Sequence, residues 1–298
     1  MKVYVTGASG FIGRRVVARL LEQGHSVVAF TRDPSKLPAD PRVEIRQVDL
    51  LKLEQILPAI KDCEAGIHAA GLGPSHSEAA MQAINVQGTR NLVATCRQAR
   101  VPRVIVLSSA AVLEVGDTPY RRCKIGQEAA VRSYAPAFTL LRPTAVIGPA
   151  GDSDDLRRLA DKLKAGGTFW IPGGGTIKVQ PVDVDDVAAA AVAALERPET
   201  VGKSYVIAGP EPGIAYRDFL DQARKTLGAK GSCAGMPLFP MRIASVFAGL
   251  VGLAGPIKAQ LKYYSTDHVY PLAETRSALG FEPRGYDALI ARAFGTGA

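Results

Sequence analysis

The stretch that most restricts how this chain can fold is its beginning. Lys2 to Thr6 is a short apolar strand, and Gly7-Ala8-Ser9-Gly10-Phe11-Ile12-Gly13 follows at once with glycines at every third position. Phe11, Ile12, Val16, Val17, Leu20 and Leu21 then recur with helical spacing until Gly24. A strand running through a glycine turn into a helix leaves backbone N–H groups at a helix N-terminus, where negative charge is favoured. Gly7 permits the tight turn, Gly10 a close approach of the backbone to a phosphate, and Gly13 close helix–sheet packing. The spacing is GxxGxxG, and its position between strand and helix makes a dinucleotide's pyrophosphate the expected ligand.

The pattern continues in alternation. Val27 to Phe30 and Val43 to Val48 read as strands, Leu53 to Ile60 as a helix and Ala65 to Ala70 as a strand. A long amphipathic segment from Glu78 to Arg100 precedes the buried strand Arg103 to Ser109. The helix Pro119 to Tyr134 and the strand Phe138 to Leu141 complete the first half. Such alternation predicts an α/β fold, a doubly wound Rossmann-type parallel sheet over residues 1–150. Residues 151–298 are less regular: helices at Ser153 to Ala165, Val187 to Leu195 and Tyr216 to Leu227, a Gly173 to Gly175 turn, a run at Val179 to Val184 and a strand at Ser204 to Ala208. They are expected to form a smaller, interleaved substrate-binding region with segments packing back on the sheet.

Composition narrows the function classes. With 298 residues, 47% of them apolar and 21% charged, the chain can bury a sizeable core. Cys63, Cys96, Cys123 and Cys233 have neither metal-ligand spacing nor disulfide density, so free thiols and no metal site are expected. The net charge of +8 favours anionic small molecules, while the scattered basic residues give no nucleic-acid motif. Met1-Lys2 leads directly into the first strand without a signal-peptide pattern, which points to the cytoplasm. Ala234 to Pro256 is almost wholly apolar, with Arg242 as its one charge. Its prolines and Arg242 favour a core or interfacial helix over a membrane span, with an apolar substrate pocket or a dimer face as further uses and peripheral membrane contact as the less favoured one.

The chemistry is expected at Tyr120 and Lys124. Four residues apart, they share one helix face, and a lysine cation beside a phenol favours the phenolate, by roughly 1 to 3 pKa units. Ser109, ending its strand, supplies a hydroxyl that orients a substrate oxygen.

Together these stretches resemble the extended short-chain dehydrogenase/reductase family, also called the NAD-dependent epimerase/dehydratase family. Its landmarks are Gly7 to Gly13, Asp49-Leu50, His68-Ala69-Ala70-Gly71, Asn85-Val86-Gln87-Gly88-Thr89, Ser108-Ser109, Tyr120 to Lys124, Arg142-Pro143 and Val182 to Val187, in that order over most of the chain. The resemblance implies Ser109, Tyr120 and Lys124 as catalytic residues, with Val112 selecting Ser109 over Ser108. It also implies a dinucleotide held by Gly7, Gly10, Phe11, Ile12, Gly13, Thr31, Arg32, Asp49, Leu50, Ala69, Ala70, Gly71, Lys124, Thr144 and Val146. Asp49 is expected at the adenine amino group with Leu50 beside the ring, and Ala69 to Gly71 along the pyrophosphate and ribose. Thr31 stands where NAD-using relatives carry an acid, and Arg32 suits a 2′-phosphate, although Asp33 competes as a ribose acid. Thr31-Arg32-Asp33-Pro34 is similar to the NADPH-using dihydroflavonol reductases, so NADP is the expected cofactor and NAD the alternative. Asn85, His68, Asp183 and Asp185 are read as structural or capping residues.

The implied activity is hydride transfer between nicotinamide and a carbonyl or alcohol of a small, apolar substrate. Two alternatives stand beside it: a sugar-nucleotide epimerase or dehydratase that retains NAD, and a non-catalytic nucleotide-sensing or assembly protein. The connection from Ser109 to Tyr120 is short, 11 residues, which implies a different set of substrate contacts from the sugar-modifying relatives. A homodimer through Glu78 to Arg100 and Pro119 to Tyr134 is a further expectation of the resemblance.

Overall fold

The computed structural model describes residues 1–31, 33–135, 137–240, 243 and 254–295. Arg32 and most of the 241–253 part of the apolar segment, Arg242 included, lie outside the described residues. The elements in order are β1 (Lys2–Thr6), α1 (Gly13–Glu22), β2 (Ser26–Phe30), β3 (Val43–Arg46), α2 (Leu53–Ile60), β4 (Ala65–His68) and α3 (Glu78–Met81). A π-helical turn, Gln82–Gly88, joins α3 to α4 (Thr89–Ala99), followed by β5 (Arg103–Leu107), α5 (Pro119–Tyr134), β6 (Ala137–Pro143) and β7 (Val146–Ile147). Then come α6 (Asp154–Lys164), β8 (Thr168–Pro172), β9 (Lys178–Val179), β10 (Val182–Asp183), α7 (Val184–Glu196), β11 (Ser204–Ile207), β12 (Ile214–Ala215), α8 (Tyr216–Thr226) and β13 (Ser232–Met236). Three helices close the chain: α9 (Ala254–Tyr263), α10 (Ala273–Leu279) and α11 (Tyr286–Phe294).

Seven strands form one parallel sheet in the order β11-β6-β5-β4-β1-β2-β3. Alternating residues serve its two faces. Val3, Val5, Ile105 and Leu107 pack with Val16, Val17 and Leu20 of α1 and with Val187 to Leu195 of α7. Tyr4, Val104 and Val106 pack with Ile56 and Ile60 of α2 and Leu92, Val93 and Cys96 of α4. Both faces are thus covered, which is why these strands read as nearly continuous apolar runs. The strand order reverses between β1 and β4, so a crevice opens at their carboxyl ends.

The second half contributes β11 and α7 to the sheet, and a separate core formed by Leu156, Ile171, Phe219, Leu220, Leu289, Ile290 and Phe294. Around that core sit three two-stranded ribbons: β7 with β10, β9 with β12, and β8 with β13. The apolar run 179–184 does not form one strand. Pro181 carries no N–H, and the buried Gln180 side chain donates to the Gly209 carbonyl and accepts from the Tyr270 amide at 2.6 Å, dividing the run into β9 and β10. The strands at 65 and 103 also stop two residues early, at His68 and Leu107, because the residues beyond them leave the sheet to line the crevice. No helix among the described residues is long and apolar enough to cross a membrane.

Candidate active site

The glycine loop has the geometry that its spacing predicts. Gly7 adopts a positive φ of 65°, and a Cβ there would lie 2.8 Å from the Ala70 backbone. At Gly13 a Cβ would fall 2.0 Å from the Gly7 carbonyl oxygen, so α1 sits against the turn as no larger residue allows. The loop is therefore pressed between β1 and the Ala69–Ala70 segment that follows β4. Ile12 lines the crevice, whereas Phe11 turns toward the second core, and a Cβ on Gly148 would stand 3.0 Å from its ring.

The crevice is lined by Ile12, Ala69 to Gly73, Leu107 to Ser109, Tyr120, Lys124, Pro143, Thr144 and Val146. Its volume of about 150 Å³ suits one six-membered ring. It brings together the expected catalytic residues and the expected residues around the nicotinamide end of a dinucleotide. The Thr144 side chain lines it while donating to the Gln180 carbonyl, so its hydroxyl is structural. A larger hollow of about 550 Å³ is lined, among the described residues, by Gly173, Gly174 and residues 235–239, none of them titratable.

Two serines end β5, and their hydroxyls differ. Ser108 donates to Glu128 Oε1 at 2.6 Å, and Glu128 is clamped by Arg142 through two bonds of 2.8 and 2.7 Å. Ser109 accepts the Ala111 amide at 3.2 Å and faces the crevice beside Tyr120, to which its hydroxyl is directed. Ser108 is thus engaged by the pair Glu128–Arg142, a difference between the two serines that the sequence alone does not show.

Tyr120 is held at the start of α5, which opens with Thr118 accepting from the Arg121 amide and Pro119 at its first position. Its ring packs on Met81, Val86 and the buried Cys123, whose thiol donates to Gln82 Oε1 at 3.2 Å. Lys124 is 5% exposed, and its Nζ lies 6.0 Å from the Tyr120 ring centre. The expected lowering of the Tyr120 pKa by Lys124 is not the direction found. Burial raises the phenol, with the Ser109 hydroxyl acting against that rise. Burial also lowers Lys124 to about 8, opposed by Glu128 and Cys123. Desolvation dominates both groups, and the ammonium is directed to the Leu107 carbonyl at 3.2 Å and Gln127 Oε1 at 2.8 Å rather than to the phenol.

Outside the lining of that crevice, Thr31 directly follows β2, with its hydroxyl shared between Ser9 Oγ at 2.6 Å and the Asp33 carbonyl at 3.0 Å. Asp33 caps the turn Pro34–Lys36, accepting from the Ser35 amide and hydroxyl, with Lys36 at 3.5 Å, and these contacts lower its pKa. Asp49 is exposed and receives the Leu51 amide at 3.0 Å, while buried Leu50 packs beside Gly88. Asn85 lies within the π-helical turn and bonds Leu72 twice, at 2.7 and 2.9 Å, fixing the loop that follows β4. His68 is fully buried between Thr6 and Thr89, and burial lowers its pKa to about 3. Asp183 caps α7 and also pairs with Arg284 and Arg292. Gln127 and Glu128 carry no signal in the sequence, and Thr6 and Thr89 fall within the first strand and a landmark stretch without an assigned role.

A family model described as the NAD-dependent epimerase/dehydratase family matches residues 3–208. The chain belongs to this family, within the extended short-chain dehydrogenases/reductases. The 2-alkyl-3-oxoalkanoate reductase of Stenotrophomonas maltophilia is 30% identical over 77% of this chain and 76% of its own length. Mouse sterol-4-alpha-carboxylate 3-dehydrogenase, decarboxylating, is 27% identical over 95% of this chain and 86% of its own. In fold, UDP-glucuronic acid 4-epimerase from Bacillus cereus, solved with NAD, superposes with a TM-score of 0.74 at 19% identity, covering 99% of this chain and 95% of that one. As a member of this family with dehydrogenase and reductase relatives, the protein is an oxidoreductase.

Proposed function

We propose that the protein is an NADP-dependent reductase acting on a carbonyl of a small, apolar substrate through Ser109, Tyr120 and Lys124. The observation that carries this reading is the convergence of these three side chains on one crevice beside the glycine loop. The residues present fit a dinucleotide. The absent Cβ atoms of Gly7 and Gly13 leave the turn pressed against Ala70 at the α1 N-terminus, and Lys124 uses two of its three ammonium protons on Leu107 and Gln127. The third remains for a ribose hydroxyl. When bound, the nicotinamide supplies the hydride.

The side chains of the protein then serve the oxygen that gains charge. Ser109 donates to it, and Tyr120 delivers the proton. With its pKa raised, Tyr120 is held in the protonated form that reduction requires. Lys124 keeps its charge below about pH 8 and stabilises the phenolate left behind.

NADP is favoured because Thr31 replaces a carboxylate, the Asp33 carboxylate is engaged by Ser35 and Lys36, and the net charge is +8. An apolar substrate is favoured by exposed Leu113 and Val115 in the connection between Ser109 and Tyr120. These features, and the reductase and sterol dehydrogenase among the relatives, favour this reading over a retained-NAD epimerase.

Absorbance at 340 nm tests both points. With NADPH and an alkyl ketone, absorbance should fall in step with alcohol formed, and NADH should serve roughly tenfold less efficiently. Conversion of a UDP-sugar with no net change in absorbance would replace this reading with the epimerase.

A further inference from the structure

Behind Lys124 lies a buried chain of polar side chains that the relay does not require. Lys124 Nζ donates to Gln127 Oε1 at 2.8 Å, and Gln127 Nε2 donates to Thr89 Oγ1 at 3.2 Å. Thr89 Oγ1 also lies 2.8 Å from His68 Nε2, and His68 Nδ1 lies 2.6 Å from Thr6 Oγ1. Thr6 in turn accepts the Ala70 amide at 3.2 Å. Thr6, His68, Thr89 and Gln127 all have 0% exposure, so no water competes for these groups.

The proton count fixes every direction in this chain. Thr89 has one hydroxyl proton, which it donates to the Asn85 carbonyl at 2.6 Å. Its oxygen can therefore only accept from its other partners. His68 must carry its proton on Nε2, and the neutral ring then accepts from Thr6 through Nδ1. Gln127 must present its NH₂ to Thr89 and its carbonyl oxygen to Lys124. A flipped amide would set oxygen against oxygen at Thr89 and NH₂ against an ammonium at Lys124, two unmet contacts in a dry interior. An amide does not pass a proton along such a chain, so the arrangement orients and does not conduct.

We infer that Gln127 is a positioning residue for Lys124, its amide held in one orientation by Thr89 and His68 so that the lysine keeps one N–H for the crevice. The inference rests on the relay reading for its catalytic meaning. It also links the lysine to the glycine loop, since Thr6 directly precedes Gly7 and the Ala70 amide closes the chain. Gly71 completes the arrangement: a Cβ there would stand 3.6 Å from Nζ. The charged or titratable groups near the ammonium are Glu128, Cys123 and Tyr120 on α5 and His68 on β4.

The test is titration of the Lys124 Nζ by ¹⁵N NMR in the full-length protein without dinucleotide, with the resonance assigned by its loss in Lys124→Arg. The midpoint should rise in Gln127→Glu and fall in Gln127→Met, each by about one unit. Equal midpoints in wild type and both folded variants would overturn the inference. If the Gln127 variants do not fold, Thr89→Val should shift the midpoint while Thr89→Ser keeps it. Both matching wild type, or both shifting alike, would overturn it. Failure of the relay reading looks different: the midpoints move as stated, yet Lys124→Met reduces substrate at the wild-type rate.

Discussion

The two halves of the molecule are held together by different means. Through β6, parallel ladders and apolar side chains on both sheet faces fix the backbone, and the functional atoms sit at strand ends or one turn into a helix. In the second half, two-residue and five-residue ribbons join distant segments, as where Ser232–Met236 pairs with Thr168–Pro172. Long-range ion pairs reinforce them. Asp183, fully buried, receives Arg284 and Arg292 at 2.8 and 2.9 Å and so ties β10 to the last helix. At Gly7 and Gly13 the first region has no room for an added atom, while in the second half buried Asp183 joins segments through charges meeting across the chain.

The sharpest way to break this contrast is Gly13→Ala. Its methyl would fall 2.0 Å from the Gly7 oxygen, so α1 must move away from the turn. Dinucleotide binding, followed by nicotinamide fluorescence, should be lost or weakened at least roughly 100-fold, with destabilisation of about 2 kcal/mol or more. Wild-type affinity would remove the glycine loop from the account.

A smaller effect is expected from Asp183→Asn, which keeps the cap on α7 but leaves two arginines without their shared carboxylate. Both arginines are partly exposed, so the loss should be about 2 kcal/mol in urea unfolding. Hydrogen exchange should quicken first in α11, and uniform quickening that includes β1 and β4 would deny the separate dependence of the second half.

The effect that is smallest near neutral pH, and grows only on acidification, is the pH response of His68. Its pKa in the fold is about 3 against an ordinary 6.5, so the unfolded chain takes up a proton in that interval and the fold does not. The contribution is fully present above pH 6.5 and is lost as pH falls toward 3, at about 1 kcal/mol per unit below pH 6. His68→Asn should flatten that slope between pH 6 and 4, and an unchanged slope would place the acid sensitivity elsewhere.

The sequence made the first region legible for physical reasons. Period-2 burial on two faces, helical recurrence after Gly13 and the Tyr120–Lys124 spacing are local patterns, and α2 and α5 fall on their expected residues. The amphipathic segment from Glu78 was legible as a helix, but its π-helical turn was not, because a bulge that carries Asn85 to Leu72 leaves apolar spacing almost unchanged. The pKa directions at Tyr120 and Lys124 were also hidden, since spacing reports proximity and not burial. Ser-Cys-Ala-Gly-Met has little β-propensity, so β13 forms only because Thr168–Pro172 supplies its partner. Gln127 looked like an ordinary helix residue, and its role emerges only when Thr89 and His68, from two other elements, are placed beside it.

Proton transfer by Tyr120 is tested by single-turnover oxidation of bound NADPH by an alkyl ketone in wild type and Tyr120→Phe. Tyr120→Phe should bind the dinucleotide with wild-type affinity and keep its melting temperature while the rate falls roughly 10³-fold. A Tyr120→Phe rate within a few-fold of wild type would contradict the assignment of proton transfer to Tyr120 and, with it, the chemistry proposed for the crevice.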